Sequence, residues 1–279
     1  MPSSHAFESV DLTVDTRSSH WLEQTLTLLR DVGFAIVLDI VSEEDRERTR
    51  SGFSRVEAGQ RADIPEGALA RANASGDRDL RLLLKYDPFF YRFLEYPAQL
   101  AVLDAYLSPS ATLRFQLGSV IQAGHDPRRP GPWHINFRRV LNGYLGALEV
   151  GFAIDGVVPG SYYFALGSHQ QMRTPDPSSL AAMKQTFPIP PGAMFVFDGT
   201  LWHHEGEVDP GSDRRLVLHE FVRHFIKPHI DYVRALGPST VEALPARTRR
   251  LLGWESRVPA SLDQFYVDPD DRLYLPDQG

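Results

Sequence analysis

The segment His134-Ile135-Asn136, with His203 far downstream and Arg214 beyond it, gathers residue types that bind metal ions. Two imidazoles and one carboxylate on a single face of the ion, with the opposite positions open, form the donor set of non-haem Fe(II) oxygenases. Here an amide stands in the carboxylate's place. Asparagine offers its amide oxygen but no formal negative charge, so Asn136 decides whether such a centre is weakened, altered or lost. On a strand, His134 and Asn136 are two positions apart and project toward one face. His203 follows 69 residues later and has to arrive from another strand.

The elements that would position these residues follow from pattern. Trp21 to Arg30 has the spacing of a short amphipathic helix, which Gly33 breaks before the strand-like run Phe34 to Leu38. Ser42, followed by an acidic first turn, opens a charged helix through about Gly52. Residues 54 to 79 show no persistent period and read as a flexible or ligand-covering excursion. Pro88 to Leu107 reads as one or two helices interrupted near Pro97. Beyond Pro109 the character changes. Short apolar segments at Leu113 to Leu117, Gly143 to Ile154, Tyr162 to Leu166, Ala193 to Phe197 and Leu216 to Val222 are parted by Gly, Pro and Asp, as antiparallel strands are. The reading is one domain over 1–279: a mainly helical N-terminal layer at 1–109, a β core at 110–225 and a C-terminal extension at 226–279.

Composition narrows the function. The 279 residues are 42% hydrophobic, enough for a substantial core, and contain no cysteine, which excludes disulfides, thiolate metal sites and cysteine nucleophiles. A net charge of -7 with no long basic run argues against nucleic acid as a partner. No apolar run nears the roughly 20 residues of a membrane helix and no signal-peptide core is visible, so the expectation is a cytoplasmic protein without membrane association. Oligomeric state is not legible. No nucleophilic triad or glycine-rich nucleotide loop is present, and Glu205, Glu207 and Asp209 read as a solvated acidic loop.

Several segments taken together resemble the phytanoyl-CoA dioxygenase family. They are residues 22 to 52, Trp133 to Phe137, Gly160-Ser161, Gly167-Ser168-His169, the run Pro191 to Asp198, and Leu201-Trp202-His203 followed by Arg214 to Leu218. The resemblance implies a mainly β fold with flanking helices, a double-stranded β-helix of the jelly-roll, cupin-like kind. It also implies Fe(II) and 2-oxoglutarate as cofactors, with molecular oxygen and a small-molecule natural product as reactants. The family's metal ligands match His134, Asn136 in place of Asp, and His203; its 2-oxoglutarate arginine matches Arg214. Moving the last two by one residue gives His204 with Arg215, a register that spacing leaves open, although Trp202 and Gly206 around the histidine favour the first. A guanidinium suits the distal carboxylate of 2-oxoglutarate because its fork pairs bidentately. Gln122 joins Arg214 and Arg215 among the cofactor-binding candidates. Arg138, Tyr144, Tyr162, His169 and His204 are candidates for the substrate pocket, with Gln116 and Tyr163 as supporting residues. The competing reading is a catalytically silent small-molecule-binding protein, or a non-redox enzyme using the same pocket.

Overall fold

A computed structural model describes residues 10–68, 79–121, 132–137, 145–171, 173–206 and 214–274. The chain enters through a short strand, β1 (Thr13–Val14), and helix α1 (Trp21–Asp31), which buries Thr25 and Leu29. Val32 and Gly33 both return their amides to the Leu28 carbonyl, and Gly33 adopts φ 84°, the left-handed turn that ends the helix and lets the chain double back. It proceeds into β2 (Phe34–Val37), buried along its whole length.

Helix α2 (Glu43–Asp63) is capped by Ser42, whose hydroxyl accepts the Asp45 amide at 3.1 Å. It runs well past Gly52, through part of the predicted excursion. Only Phe53 and Val56 anchor that stretch, too few to make a visible period, while Arg61 pairs with Glu57 and Arg55 with Asp87 on its outer side. A short helix, α3 (Leu83–Tyr86), and a 3-10 turn (Pro88–Leu94) lead to α4 (Pro97–Tyr106), so the interruption falls at Pro97 as its ring requires.

The remaining strands are β3 (Leu80–Arg81), β4 (Thr112–Ile121), β5 (Ala147–Ala153), β6 (Tyr162–Ala165), β7 (Lys184–Gln185), β8 (Met194–Asp198), β9 (His203–Glu205) and β10 (Arg214–Val222). They form a seven-stranded sheet in the order β1-β2-β8-β5-β10-β4-β3 and a three-stranded sheet in the order β7-β6-β9. Every pairing is antiparallel except β1 with β2.

Register decides which side chains face which layer. Across the large sheet, Phe34 pairs with Phe197, Phe197 with Glu149, Glu149 with Glu220, and Glu220 with Phe115. These residues, and their neighbours at every second position, share one face. That face meets the small sheet across an aromatic layer, with Phe34 and Phe164 rings 4.5 Å apart. The opposite face, with Val37, Val150, Phe152, Val196, Val217 and Phe221, packs against α1, α4 and the C-terminal turns. Gly151 serves the inner layer: a Cβ there would stand 2.0 Å from the Phe195 ring, so its absence lets that ring lie on β5.

The architecture is therefore mixed α/β, with more helix than the expected mainly β fold. Among the described residues the strands do not close into a barrel, because three of them are only two residues long and the sheets share no continuous ladder. No helix among the described residues is long and apolar enough to cross a membrane.

Candidate metal centre

His134 and His203 come together in the backbone before their side chains are considered. The two residues form an isolated antiparallel bridge, each amide donating to the other's carbonyl at 3.0 Å, and Phe137 continues the contact by donating to Gly199. The segment around His134 thereby extends the small sheet beyond β9. The imidazole centroids lie 4.4 Å apart.

Each ring is held by its Nδ1. That of His134 lies 3.0 Å from the Pro132 carbonyl and that of His203 2.9 Å from the Leu201 carbonyl. A carbonyl only accepts, so both rings carry the proton on Nδ1 and expose an Nε2 lone pair, the arrangement that fixes metal-binding imidazoles. Burial brings the His203 pKa down to about 3, with the adjacent His134 adding to the effect, so this ring is neutral at any physiological pH. His134 is exposed, and the pair spans from interior to mouth.

Strand alternation separates the two histidine registers. On β9, His203 faces the sheet interior beside Phe164 and Phe197. His204 faces away, stacked on Tyr163 at 4.8 Å and edge-on to Trp133 at 4.5 Å. On β10, Arg214 is buried and directed inward, its Cζ 4.6 Å from the Tyr162 ring centroid and Nη1 donating to the Ser161 carbonyl at 3.1 Å. Arg215 points to the other side and pairs with Asp155 at 2.7 Å. The inward set is His203 with Arg214.

Asn136 lines the same cavity as both histidines, a space of about 280 Å³ walled by Phe115, Leu117, Phe195, Phe197 and Leu218. A neighbouring cavity of about 540 Å³ shares Asn136, Phe115, Leu117 and Asp79 and adds Arg81, Glu220 and His229. Asn136 thus lines both spaces. Its backbone carbonyl accepts from Arg114 Nη1 at 3.2 Å, and its side chain shares the cavity lining with Glu149.

Sequence reasoning missed the carboxylates here. Glu149 and Glu220 are buried and face each other across β5 and β10, with Arg114 bonded to Glu220. Arg114 reaches them because the ladder slips between Glu220 and Phe221, a bulge that turns an extra β4 side chain inward. Burial raises both acids, Glu220 to about 7, and the neighbouring Glu220 carboxylate raises Glu149 further. The available signal was a single carboxylate within each of two strand-like runs, Ala147–Ala153 and Arg214–Val222. Glu205 was also misread: it lines the cavity, accepts the Tyr162 hydroxyl at 2.8 Å and lies 3.4 Å from Arg214 Nη2.

Other candidates fall elsewhere. His169 is buried in the seam beneath α1, its Nε2 donating to the Arg30 carbonyl at 3.0 Å and its ring against Gly33, so local docking and not the cavity determines its position. Tyr162 lines the cavity, whereas Tyr163 lies on the outer side with His204. The Gln116 side chain bonds His219 on the helical side, where Gln99 holds the other ring nitrogen. Gln122, Arg138, Tyr144, Glu207 and Asp209 lie outside the described residues. Among the described residues no group of three His, Asp or Glu side chains converges as a metal site.

No protein-family model matches the chain. It is 40% identical over 274 residues to the uncharacterized protein Rv1501 of Mycobacterium tuberculosis, an alignment covering 96% of this chain and 100% of that one. The same figures hold for the uncharacterized protein Mb1539 of Mycobacterium bovis. Among solved structures, AviO1 from Streptomyces viridochromogenes Tue57 is similar with a TM-score of 0.58 and 17% identity, over 76% of this chain and 99% of that one. EctD from S. alaskensis, crystallised with 2-oxoglutarate and 5-hydroxyectoine, gives 0.59 and 18%, over 71% and 75%. At these identities the likeness is one of fold alone.

Proposed function

The chain belongs to the family of the mycobacterial proteins Rv1501 and Mb1539, and we propose that it is a non-haem Fe(II)/2-oxoglutarate-dependent oxygenase acting on a small molecule. The observation that carries this reading is the pairing of His134 with His203. Two rings distant in sequence are bridged through their backbones, fixed in one tautomer by main-chain carbonyls and turned into one cavity.

The residues fit the groups in question. His134 and His203 would hold Fe(II) through Nε2 and Asn136 through its amide oxygen, a donor set with two neutral nitrogens and a hard oxygen. Arg214 would take the distal carboxylate of 2-oxoglutarate: it is buried, inward, and its Nε has no hydrogen-bond partner among the described residues. Fe(II) with 2-oxoglutarate and oxygen would supply oxidation of an unactivated carbon. The protein's own work is to orient and to exclude. The phenyl groups of Phe115, Phe195 and Phe197 keep water from the inner space, and the larger adjoining cavity leaves room for a substrate past Asn136. The fold likeness to EctD, whose crystals held 2-oxoglutarate, supports the same co-substrate.

One observation favours a second reading, an iron-free small-molecule-binding protein: Arg214 already has a carboxylate neighbour in Glu205. Anaerobic titration with Fe(II) and 2-oxoglutarate separates the two. The oxygenase reading expects the weak visible charge-transfer band of the chelate and, on admission of air, succinate. Absence of both from folded protein would refute it.

A further inference from the structure

The larger cavity, of about 540 Å³, shares Asn136 with the space that holds His134 and His203, so its occupant lies beside the histidine pair. Pockets for small ligands are ordinarily lined mostly by apolar groups. This one departs from that rule: apart from Phe115, Leu117 and Ile230, its described lining is polar or charged. We propose that the cavity takes a compact polyhydroxylated ring, a sugar or cyclitol unit, as the substrate, with a hydroxyl against the Glu220 carboxyl group and the C–H face of the ring against Phe115. The proposal rests on the oxygenase reading in calling this occupant a substrate; the chemistry of the lining stands apart from the metal.

Glu220 sets the polarity. Its side chain is fully buried on the inner face of β10. Arg114 bonds one carboxyl oxygen, and the other, Oε2, has no hydrogen-bond partner among the described residues. An occupant without a polar group would leave that oxygen stranded, at a loss of about tenfold or more in affinity. A hydroxyl meets the need better than an ammonium does. Arg114 already supplies Glu220 with a cation and Arg81 stands in the same lining, so a second positive charge would be repelled by the guanidinium groups. A hydroxyl both donates and accepts, and pairs with the carboxyl group whether or not that group carries its proton.

Phe115 sets the shape. Register places it opposite Glu220, and the His229 imidazole lies nearly parallel to its ring, 18° between planes and 5.5 Å between centroids. The His229 amide donates to the Arg114 carbonyl at 2.9 Å, which ties this flat wall to β4. The face of an aromatic ring is the negative side of its quadrupole, so it suits the weakly positive C–H bonds of a saturated ring whose hydroxyls turn outward. Pairing of Arg81 with Leu117 brings Arg81, and Asp79 before it, to the same cavity, where they add a donor and an acceptor around the wall. An acyl chain would match the wall and none of the polar groups.

Ligand-observed NMR on the full chain without metal tests this with six-membered rings that differ in their substituents. The methyl pyranosides of glucose, galactose and mannose and myo-inositol are compared with cyclohexylammonium and cyclohexanecarboxylate. At least one polyhydroxylated ring is expected to bind, and more tightly than either comparison ring. Glu220→Leu is expected to weaken that binding about tenfold. Should Glu220→Leu fail to fold, Phe115→Leu keeps apolar volume but removes the flat face, and severalfold weakening is expected. Binding by none of the polyhydroxylated rings, tighter binding of cyclohexylammonium or cyclohexanecarboxylate, or affinity unchanged in either folded variant overturns the proposal. A missing Fe(II)/2-oxoglutarate chelate band in protein that binds a polyhydroxylated ring would refute the oxygenase reading alone, a result distinct from failure of the cavity to take such a ring.

Discussion

Glu205→Gln should raise the affinity for 2-oxoglutarate while lowering the stability of the free protein. Glu205 Oε1 lies 3.4 Å from Arg214 Nη2, and the two side chains are 27% and 3% exposed. At an effective dielectric near 20, unit charges about 4 Å apart attract by about 4 kcal/mol, an upper bound because Glu205 is partly solvated. An incoming carboxylate must share Arg214 with this resident charge or drive it toward solvent. If a third to two thirds of the attraction is forfeited, binding is weakened by about 1.4 to 2.8 kcal/mol, or 10- to 100-fold. Glutamine removes the charge and keeps an acceptor for the Tyr162 hydroxyl, which Glu205 now holds at 2.8 Å. The same change leaves a buried guanidinium less well compensated, costing about 1 to 3 kcal/mol of folding stability. Calorimetric titration with 2-oxoglutarate in the presence of Mn(II), together with thermal melting, reads both effects. Weaker or unchanged 2-oxoglutarate binding in Glu205→Gln would refute the competition between the two carboxylates.

Arg214→Lys replaces a fork with a point charge and should weaken 2-oxoglutarate binding about tenfold or more, whereas Arg215→Lys, on the opposite face and paired with Asp155, should leave it within about twofold. Equal effects in the same titration would return both registers to contention. The Glu220 pKa is raised to about 7 from an ordinary value of 4.5, so the folded metal-free state holds this proton more tightly than the unfolded chain. Its contribution to stability is full below the unfolded value and is lost as pH rises through about 7, by at most about 3 kcal/mol. Denaturant titrations at pH 5 and 8 should show a smaller fall in Glu220→Gln than in wild type; an equal fall would disprove the assignment.

Much of this was legible in local chemistry. Gly33, Ser42 and Pro97 each impose a backbone event, and helix end, helix start and helix break occur at those positions. Alternation on a strand already joined His134 to Asn136. It could not choose between His203 and His204, because parity acquires meaning only when a facing layer defines the interior. That layer is Phe164, on β6, together with Phe197, on β8 of the other sheet. Glu205 was misread for the same reason, as it shares the inward parity of His203. Glu149 and Glu220 escaped because charges in apolar strands invite a reading as exposed edge positions, whereas these two meet on adjacent central strands. His169 was drawn toward the pocket by its place after Gly167-Ser168, but the Arg30 carbonyl at the end of α1 captures its ring.

The most direct measurement is Co(II) binding, followed by its visible absorption, in wild type, His203→Ala and His204→Ala. Inward orientation of His203 predicts that wild type and His204→Ala bind a single equivalent alike and that His203→Ala loses the site. Retained binding in His203→Ala with loss in His204→Ala would contradict the convergence of His134 and His203 on one cation.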